Sequence, residues 1–130
     1  MDPSAQLPAD VARFIEDQID SVPHMEALLL LWRSATEAWS AEQLAARIYV
    51  SPDTAAQILR DLARRQLVRA TSENPDRFAY DGAWDEDDGL MARVAATYRQ
   101  HLILVARKIH SKASGAVREF ARAFEIKKDG

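Results

Sequence analysis

Two short amphipathic helices that run directly into a hairpin, all within 40–80, are the feature that most constrains this chain. Ser40 is followed three residues later by Gln43, which is the spacing of a capping box and predicts a helix over 40–48. Leu44 and the residues at helical spacing from it are apolar or small, so this helix has one face to bury. The small side chain of Ala45 would let a second helix cross closely over this one.

The second helix also has a marked start. Ser51 is a favourable N-cap, and Pro52 suits the first helical position because its missing N–H would have no partner there. The apolar spacing predicts a helix over 52–65. Its inward stripe is Ala55, Ile58, Leu59 and Leu62. The residues expected to point mostly outward are Asp53, Gln57, Arg60, Asp61 and Arg64.

A hairpin is predicted immediately afterwards. Residues 67–71 and 77–80 have the composition of strands, and the intervening Ser-Glu-Asn-Pro-Asp segment favours a turn. Ala38 and Trp39, just before the first helix, are expected to supply a small third strand. The predicted class is therefore mainly helical with a small β-hairpin, flanked by N- and C-terminal helices.

This pattern resembles the winged helix-turn-helix transcription regulators. The matching residues are Leu44-Ala45, Val50-Ser51, Thr54, Leu59, Leu62 and Leu67-Val68. They cover about a third of the chain. Many of these regulators have Gly where this chain has Tyr49 and Gln66, which puts the helix ends in question. The order of elements is similar to that of MarR-type dimeric regulators, although Asp76-Arg77 carries only part of the Asp-x-Arg element of that family's wing.

The flanking segments complete a single predicted domain over 1–130. Within 1–39 we expect a helix over 8–19, then a nearly all-apolar helix from Ser21 that is central to the fold. A long helix over about 90–110 has a heptad-like stripe, namely Met91, Val94, Tyr98, Leu102, Val105 and Ile109. A last helix opens near Ser114, and the C-terminal helices over 90–126 are expected to form a homodimer.

The resemblance implies binding to double-stranded DNA by helix 52–65 and a wing over 72–77. The residues expected to contact DNA are Ser51, Thr54, Gln57, Arg60, Arg64, Arg69 and Arg77. Arginine suits guanine edges and phosphates, and Gln57 suits adenine. The alternative for Arg60 and Arg64 is that they are solvated residues paired with Asp61 or Asp53 across a turn. A second alternative is a winged helix that binds proteins and not DNA.

The distribution of charge does not decide between binding DNA and binding a protein. The net charge is −3, with seven acids and two bases over 1–40 but five acids and six bases over 41–80. From Leu90 onward nine bases face three acids. A weakly basic module is compatible with DNA binding, which requires cations to neutralise phosphates. Asp53 and the overall acidity favour the protein-binding alternative.

Several classes of site are not expected. The chain has no Cys, which excludes disulfides and thiolate sites, and its three His residues are scattered, so neither an enzyme nor a metal or cofactor site is predicted. The acids of 85–88 are better explained as a cap for the helix that follows than as a cation site. No secretion signal or membrane span is predicted, so a cytoplasmic location is expected. Trp32, Trp39 and Trp84 are expected to pack in the core. Any small-molecule effector is unknown at this stage.

Overall fold

The computed structural model describes residues 7–71, 73, 76–86 and 89–112. Within these ranges the chain is mainly helical with one two-stranded antiparallel hairpin, so the predicted class is confirmed at this level. The elements in chain order are α1 (Ala9–Gln18), α2 (Val22–Arg33), α3 (Ala41–Ile48), α4 (Pro52–Arg64), β1 (Val68–Ala70), β2 (Phe78–Tyr80), a 3₁₀ turn (Ala83–Asp85), α5 (Leu90–Gln100) and α6 (102–112). The helix predicted near Ser114 lies outside the described residues.

The backbone contacts divide the chain into two compact units. Among the described residues, one unit contains 7–21 and 96–112, and the other lies within Val22–Ala95. In the second unit α2 packs against α3, α4 and β2, and α4 packs against both α3 and β1. The prediction that the second helix of the chain is central to the helix pair and hairpin is confirmed within this unit.

Both predicted caps are present. Ser40 Oγ accepts from Gln43 N at 3.2 Å while Gln43 Oε1 accepts from Ser40 N at 3.0 Å, which completes the capping box of α3. Ser51 Oγ accepts from Thr54 N at 3.1 Å at the start of α4, with Pro52 in the first turn. The starts of these helices therefore follow from local sequence.

Tyr49 and Gln66, which stand where the similar regulators often have Gly, do not change the way the two helices end. Tyr49 has φ 60° and Gln66 has φ 64°, both in the left-handed region. After each, a main-chain N–H reaches back five residues, from Val50 to Ala45 O at 3.2 Å and from Leu67 to Leu62 O at 3.0 Å. These are the bonds of a Schellman ending, in which glycine is the usual residue because it has no Cβ to crowd the carbonyl.

The hairpin pairs Val68 with Tyr80 and Ala70 with Phe78. Trp39 adds the predicted third segment as an isolated bridge, since its N–H donates to Phe78 O at 2.7 Å and its carbonyl accepts from Phe78 N at 2.8 Å. The indole of Trp39 is buried, as predicted. This bridge ties the residue before α3 to the second strand of the hairpin.

Asp85, the first acid of 85–88, caps the following helix, as expected; residues 87 and 88 lie outside the described residues. Asp85 Oδ1 accepts from Leu90 N at 2.7 Å and Oδ2 accepts from Met91 N at 2.8 Å, so one carboxylate satisfies two N–H groups of the first turn of α5.

The prediction of one continuous helix over 90–110 is wrong. The helix is interrupted at His101, so α5 and α6 are separate segments. Met91, Val94, Tyr98, Val105 and Ile109 of the predicted stripe are buried, whereas Leu102 is 51% exposed. Leu102 leaves the stripe because the break falls immediately before it. The local sequence contains neither Pro nor Gly that would explain the interruption.

In the unit that holds α1 and α6, a lysine closes the end of a helix. Lys112 Nζ donates to Ile15 O at 3.0 Å and to Ile19 O at 2.7 Å, at the C-terminus of α1. Ile15 O also accepts from Ile19 N at 3.1 Å, and the partial negative charge at the C-terminus of a helix favours an ammonium group there.

Candidate nucleic-acid interface

The outward face of α4 carries the residues that the sequence predicted for DNA contact. Gln57, Arg60 and Arg64 are all exposed, as expected from the helical spacing. Ser51 and Thr54 are exposed at the start of the same helix, where Ser51 Oγ donates to Thr54 Oγ1 at 2.9 Å. Since the hydroxyl of Thr54 accepts this bond, its own proton remains available to an acceptor outside the helix.

Gln57, Arg60 and Arg64 are joined, through Asp61, in a chain of hydrogen bonds along the helix. Arg60 donates from a terminal guanidinium nitrogen to Gln57 Oε1 at 3.0 Å. Gln57 Nε2 in turn donates to Asp61 Oδ1 at 2.8 Å, and Arg64 donates to the same oxygen. The amide of Gln57 therefore orients Arg60, while Asp61 orients Arg64.

The expected outward position of Asp61 is wrong. Its side chain is only 18% exposed because its other carboxylate oxygen lies 2.9 Å from His24 Nε2 on α2. Burial by itself would raise the pKa of the Asp61 carboxyl, but hydrogen bonds to His24 and Gln57 and the nearby charges of His24 and Arg64 outweigh it and lower the pKa. Asp61 is thus held ionised at the junction of α2 and α4.

The two arginines on this face therefore differ in whether an acid neutralises them. Arg64 is paired with Asp61, which confirms one of the two ion pairs expected under the solvated alternative. Arg60 contacts the neutral amide of Gln57, and among the described residues it has no acidic partner within 4 Å. Asp53 is exposed in the first turn of α4, where the helix dipole favours an acid.

The arginine that follows the turn of the hairpin is positioned by the other helix of the pair. Arg77 donates to Gln43 Oε1 at 3.2 Å, and this same oxygen accepts the N-cap hydrogen bond of α3. Gln43 is a neutral partner, so the charge of Arg77 is retained. Sequence analysis identified Gln43 only as part of the capping box and missed its contact with Arg77, because nothing local relates residues 34 positions apart.

Arg69 is placed differently from Arg77. It is exposed on β1 opposite Ala79, and within the described part of the chain its side chain makes no hydrogen bond or ion pair. Its side chain lines a cleft of about 530 Å³ between the end of α4, β1 and the 3₁₀ turn. The remaining lining residues are Ala63, Gln66, Val68, Ala70, Asp81, Ala83 and Trp84. Sequence analysis did not predict this cleft.

Two further exposed side chains adjoin the predicted contacts. Arg47, one turn after Gln43 on α3, lies over the ring of Trp39 with its guanidinium carbon 5.4 Å from the ring centroid. Tyr49, in the turn between α3 and α4, is 92% exposed.

Comparisons of the chain with protein-family models, with curated proteins and with solved structures give no significant match. Among the described residues, no helix has both the length and the apolar character needed to cross a membrane.

Proposed function

We propose that the protein is a winged-helix regulator that binds double-stranded DNA, with α4 in the major groove and the hairpin as the wing. The support is the sequence of elements: α3, a three-residue turn, α4, and a hairpin with Trp39 bridged to its second strand. In helix-turn-helix proteins the second helix presents its N-terminal side chains to base edges while the first crosses the backbone. Ser51, Thr54 and Gln57 occupy that part of α4.

The observation that carries this proposal is that two arginines are oriented by neutral amides. Arg60 bonds to Gln57 at 3.0 Å and Arg77 bonds to Gln43 at 3.2 Å. Each partner restricts the guanidinium without cancelling its charge. An arginine held in this way retains its attraction for phosphate or guanine and loses less side-chain entropy on binding.

Arg64 is a weaker candidate for the same role. Its contact with Asp61 neutralises it within the helix, and a phosphate would have to compete with that carboxylate. We therefore assign Arg60 and Arg77 the larger contributions to DNA affinity and Arg64 a smaller one. Arg69 is assigned a supporting contact at the hairpin.

Dimerisation through the C-terminal helices is part of the proposal. Leu102 and Ile103, at the start of α6, are 51% and 65% exposed, although both are large apolar residues. We expect a second copy of the chain to cover them. Such a two-fold dimer reads half-sites about 34 Å apart.

The test is fluorescence anisotropy of a labelled random-sequence duplex titrated with the protein from about 50 to 200 mM salt. Affinity should fall steeply with salt because binding at phosphates releases counterions. Arg60→Gln and Arg77→Gln should each weaken binding and reduce the slope of log affinity against log salt by about 1. Arg64→Gln should have a smaller effect, and Arg13→Gln, an exposed site on α1, serves as the control.

A protein-binding winged helix is the second candidate, and a specific observation favours it. Tyr49 exposes 92% of its surface next to the start of α4, and Asp53 is exposed one turn away. Aromatic residues of this kind are enriched at protein interfaces, and an acid there repels phosphate. Absence of duplex binding even at 50 mM salt would favour this candidate. A purified partner would then be expected to bind Tyr49→Ala less tightly than the unmodified chain.

A further inference from the structure

The cleft beside β1 is lined by an aromatic residue and by small apolar residues. Trp84 is the aromatic residue, and its ring meets Tyr80 edge to face at a centroid distance of 6.5 Å. Ala63, Val68, Ala70 and Ala83 are the apolar lining residues, of which Val68 is only 2% exposed. The volume of about 530 Å³ lies within the range of small-molecule sites, which are mostly apolar with a few polar groups that fix orientation.

Two opposite charges line the same cleft. Arg69 has no acidic partner within 4 Å among the described residues, so its guanidinium is available to an anion. Asp81 uses Oδ1 to accept from Ala83 N at 3.1 Å, which holds the carboxylate in place while its second oxygen remains available to a cation. A ligand that matches both charges carries an anionic and a cationic group.

The main chain of β1 adds donors and acceptors at the same place. Asp81 N donates to Leu67 O at 3.0 Å and Thr71 N donates to Arg77 O at 2.9 Å, so Leu67, Arg69 and Thr71 occupy the hydrogen-bonded positions of the ladder. The alternate residues of the strand therefore direct their N–H and C=O groups away from β2. These residues are Val68 and Ala70, and both line the cleft.

We propose that this cleft binds a free α-amino acid with an apolar side chain. Arg69 receives the carboxylate, Asp81 receives the ammonium group, and the side chain lies against Trp84. The outward-facing groups of β1 complete the hydrogen bonds of the two charged ends. No covalent step is involved.

Binding at this site is linked to the proposed DNA interface through one residue. Arg69 is both the carboxylate receptor and a supporting hairpin contact, so the amino acid and DNA compete for it. This competition rests on the proposed function, whereas ligand binding itself does not. The two claims are separated by measuring ligand binding in the absence of DNA.

The experiment is isothermal titration of the full chain with L-phenylalanine, L-tryptophan and L-leucine. Three analogues of phenylalanine test the charges: 3-phenylpropanoate lacks the ammonium group, phenethylamine lacks the carboxylate, and N-acetyl-phenylalanine amide carries neither charge. At least one of the three amino acids should bind. The three phenylalanine analogues should bind at least tenfold more weakly than that amino acid. The indole N–H resonance of Trp84, assigned by its loss in Trp84→Phe, should shift on binding.

Variants locate the site. Arg69→Gln should weaken binding at least tenfold, and so should Asp81→Asn, which keeps an oxygen for Ala83 N but removes the charge. Arg99→Gln should bind as the unmodified chain does. Failure of all three amino acids to bind would overturn the proposal. Equal binding of N-acetyl-phenylalanine amide would also overturn it and would indicate an extended peptide added to the edge of β1.

The DNA arm uses the ligand that binds. Saturating amounts should weaken duplex binding by the unmodified chain and have no effect on Arg69→Gln. Ligand binding without an effect on DNA affinity would overturn only the competition. Absence of DNA binding would leave the ligand assignment intact.

Discussion

His24 Nε2 lies 2.9 Å from Asp61 Oδ2, so a residue in the first turn of α2 holds the carboxylate at the centre of the outward network of α4. Asp61 also accepts from Gln57 and Arg64 through its other oxygen. The packing of α4 on α2 and the orientation of the proposed DNA-contacting side chains therefore depend on one carboxylate.

Replacement of Asp61 by Asn should lower stability at neutral pH by about 1 to 2 kcal/mol, because hydrogen bonds to an ionised partner are lost. The pKa of Asp61 is lower in the folded protein than its ordinary value of 3.8, so the stabilisation is present above that value. It is lost as the pH falls through the folded-state pKa. Urea unfolding at pH 7 and at about pH 2.5 measures both differences. The control is Asp17→Asn, at an exposed ion pair with Arg13, which should change stability little. If Asp61→Asn lowered the free energy of unfolding equally at both pH values, the ionised state assigned to Asp61 would be contradicted.

Replacement of Tyr49 by Gly should stabilise the fold by up to about 1 kcal/mol. The left-handed conformation at φ 60° costs a residue with a Cβ roughly this amount, and a side chain 92% exposed loses little packing. The greater freedom of glycine in the unfolded chain offsets part of the gain. Thermal unfolding followed by circular dichroism provides the measurement. Tyr49→Val should lower stability because Val is β-branched. If Tyr49→Val were the more stable of the two variants, backbone strain at this site would be refuted.

The phenol of Tyr80 should titrate unusually late. Burial and the negative charges of Asp85 and Asp81 raise the pKa of Tyr80 to about 12. The associated stability is fully present below pH 10, where an unfolded tyrosine begins to ionise, and is lost as the pH rises towards 12. Partial exposure of the ring makes this loss small. Absorbance at 295 nm from pH 8 to 12.5 should show a late step that Tyr80→Phe removes; an unchanged profile in that variant would exclude the shift.

Replacement of Lys112 by Met should destabilise the chain by about 1 to 2 kcal/mol. The variant keeps an apolar stem but leaves the carbonyls of Ile15 and Ile19 without their ammonium donor. Lys108→Met provides a matched control, since Lys108 approaches only the 65% exposed Glu16, at 3.8 Å. Chemical unfolding monitored by circular dichroism compares them. Equal losses in the two variants would mean that the cap at α1 contributes nothing specific.

The proposed dimer predicts that Leu102→Glu with Ile103→Glu yields a monomer. Both side chains are more than half exposed, so charges there should leave the fold of each chain intact. Sedimentation velocity at several protein concentrations measures the oligomeric state, and circular dichroism checks the fold. The control is Arg107→Glu, which changes the charge at an exposed site of α6. Leu90→Glu would not serve as a control because Leu90 is half-buried. A monomeric unmodified chain would remove this part of the proposal.

The sequence by itself determined the features that depend on neighbouring residues. The N-caps Ser40 and Ser51, the bounds of α3 and α4, the strands of the hairpin and the cap at Asp85 all follow from chemistry within about six positions. Exposure of Gln57, Arg60 and Arg64 also follows, because helical spacing fixes which side chains share a face.

Tertiary structure alone decided the contacts between residues distant in the chain. Asp61 turns towards His24, and Gln43 holds Arg77, because helix packing and strand pairing bring these partners together across 37 and 34 positions. The cleft at Arg69 likewise exists only where the end of α4, β1 and the 3₁₀ turn meet. Periodicity predicts that a residue lies on a face of a helix. Only packing decides which partner that face meets, and this is the physical reason that the side chain of Asp61 is only 18% exposed.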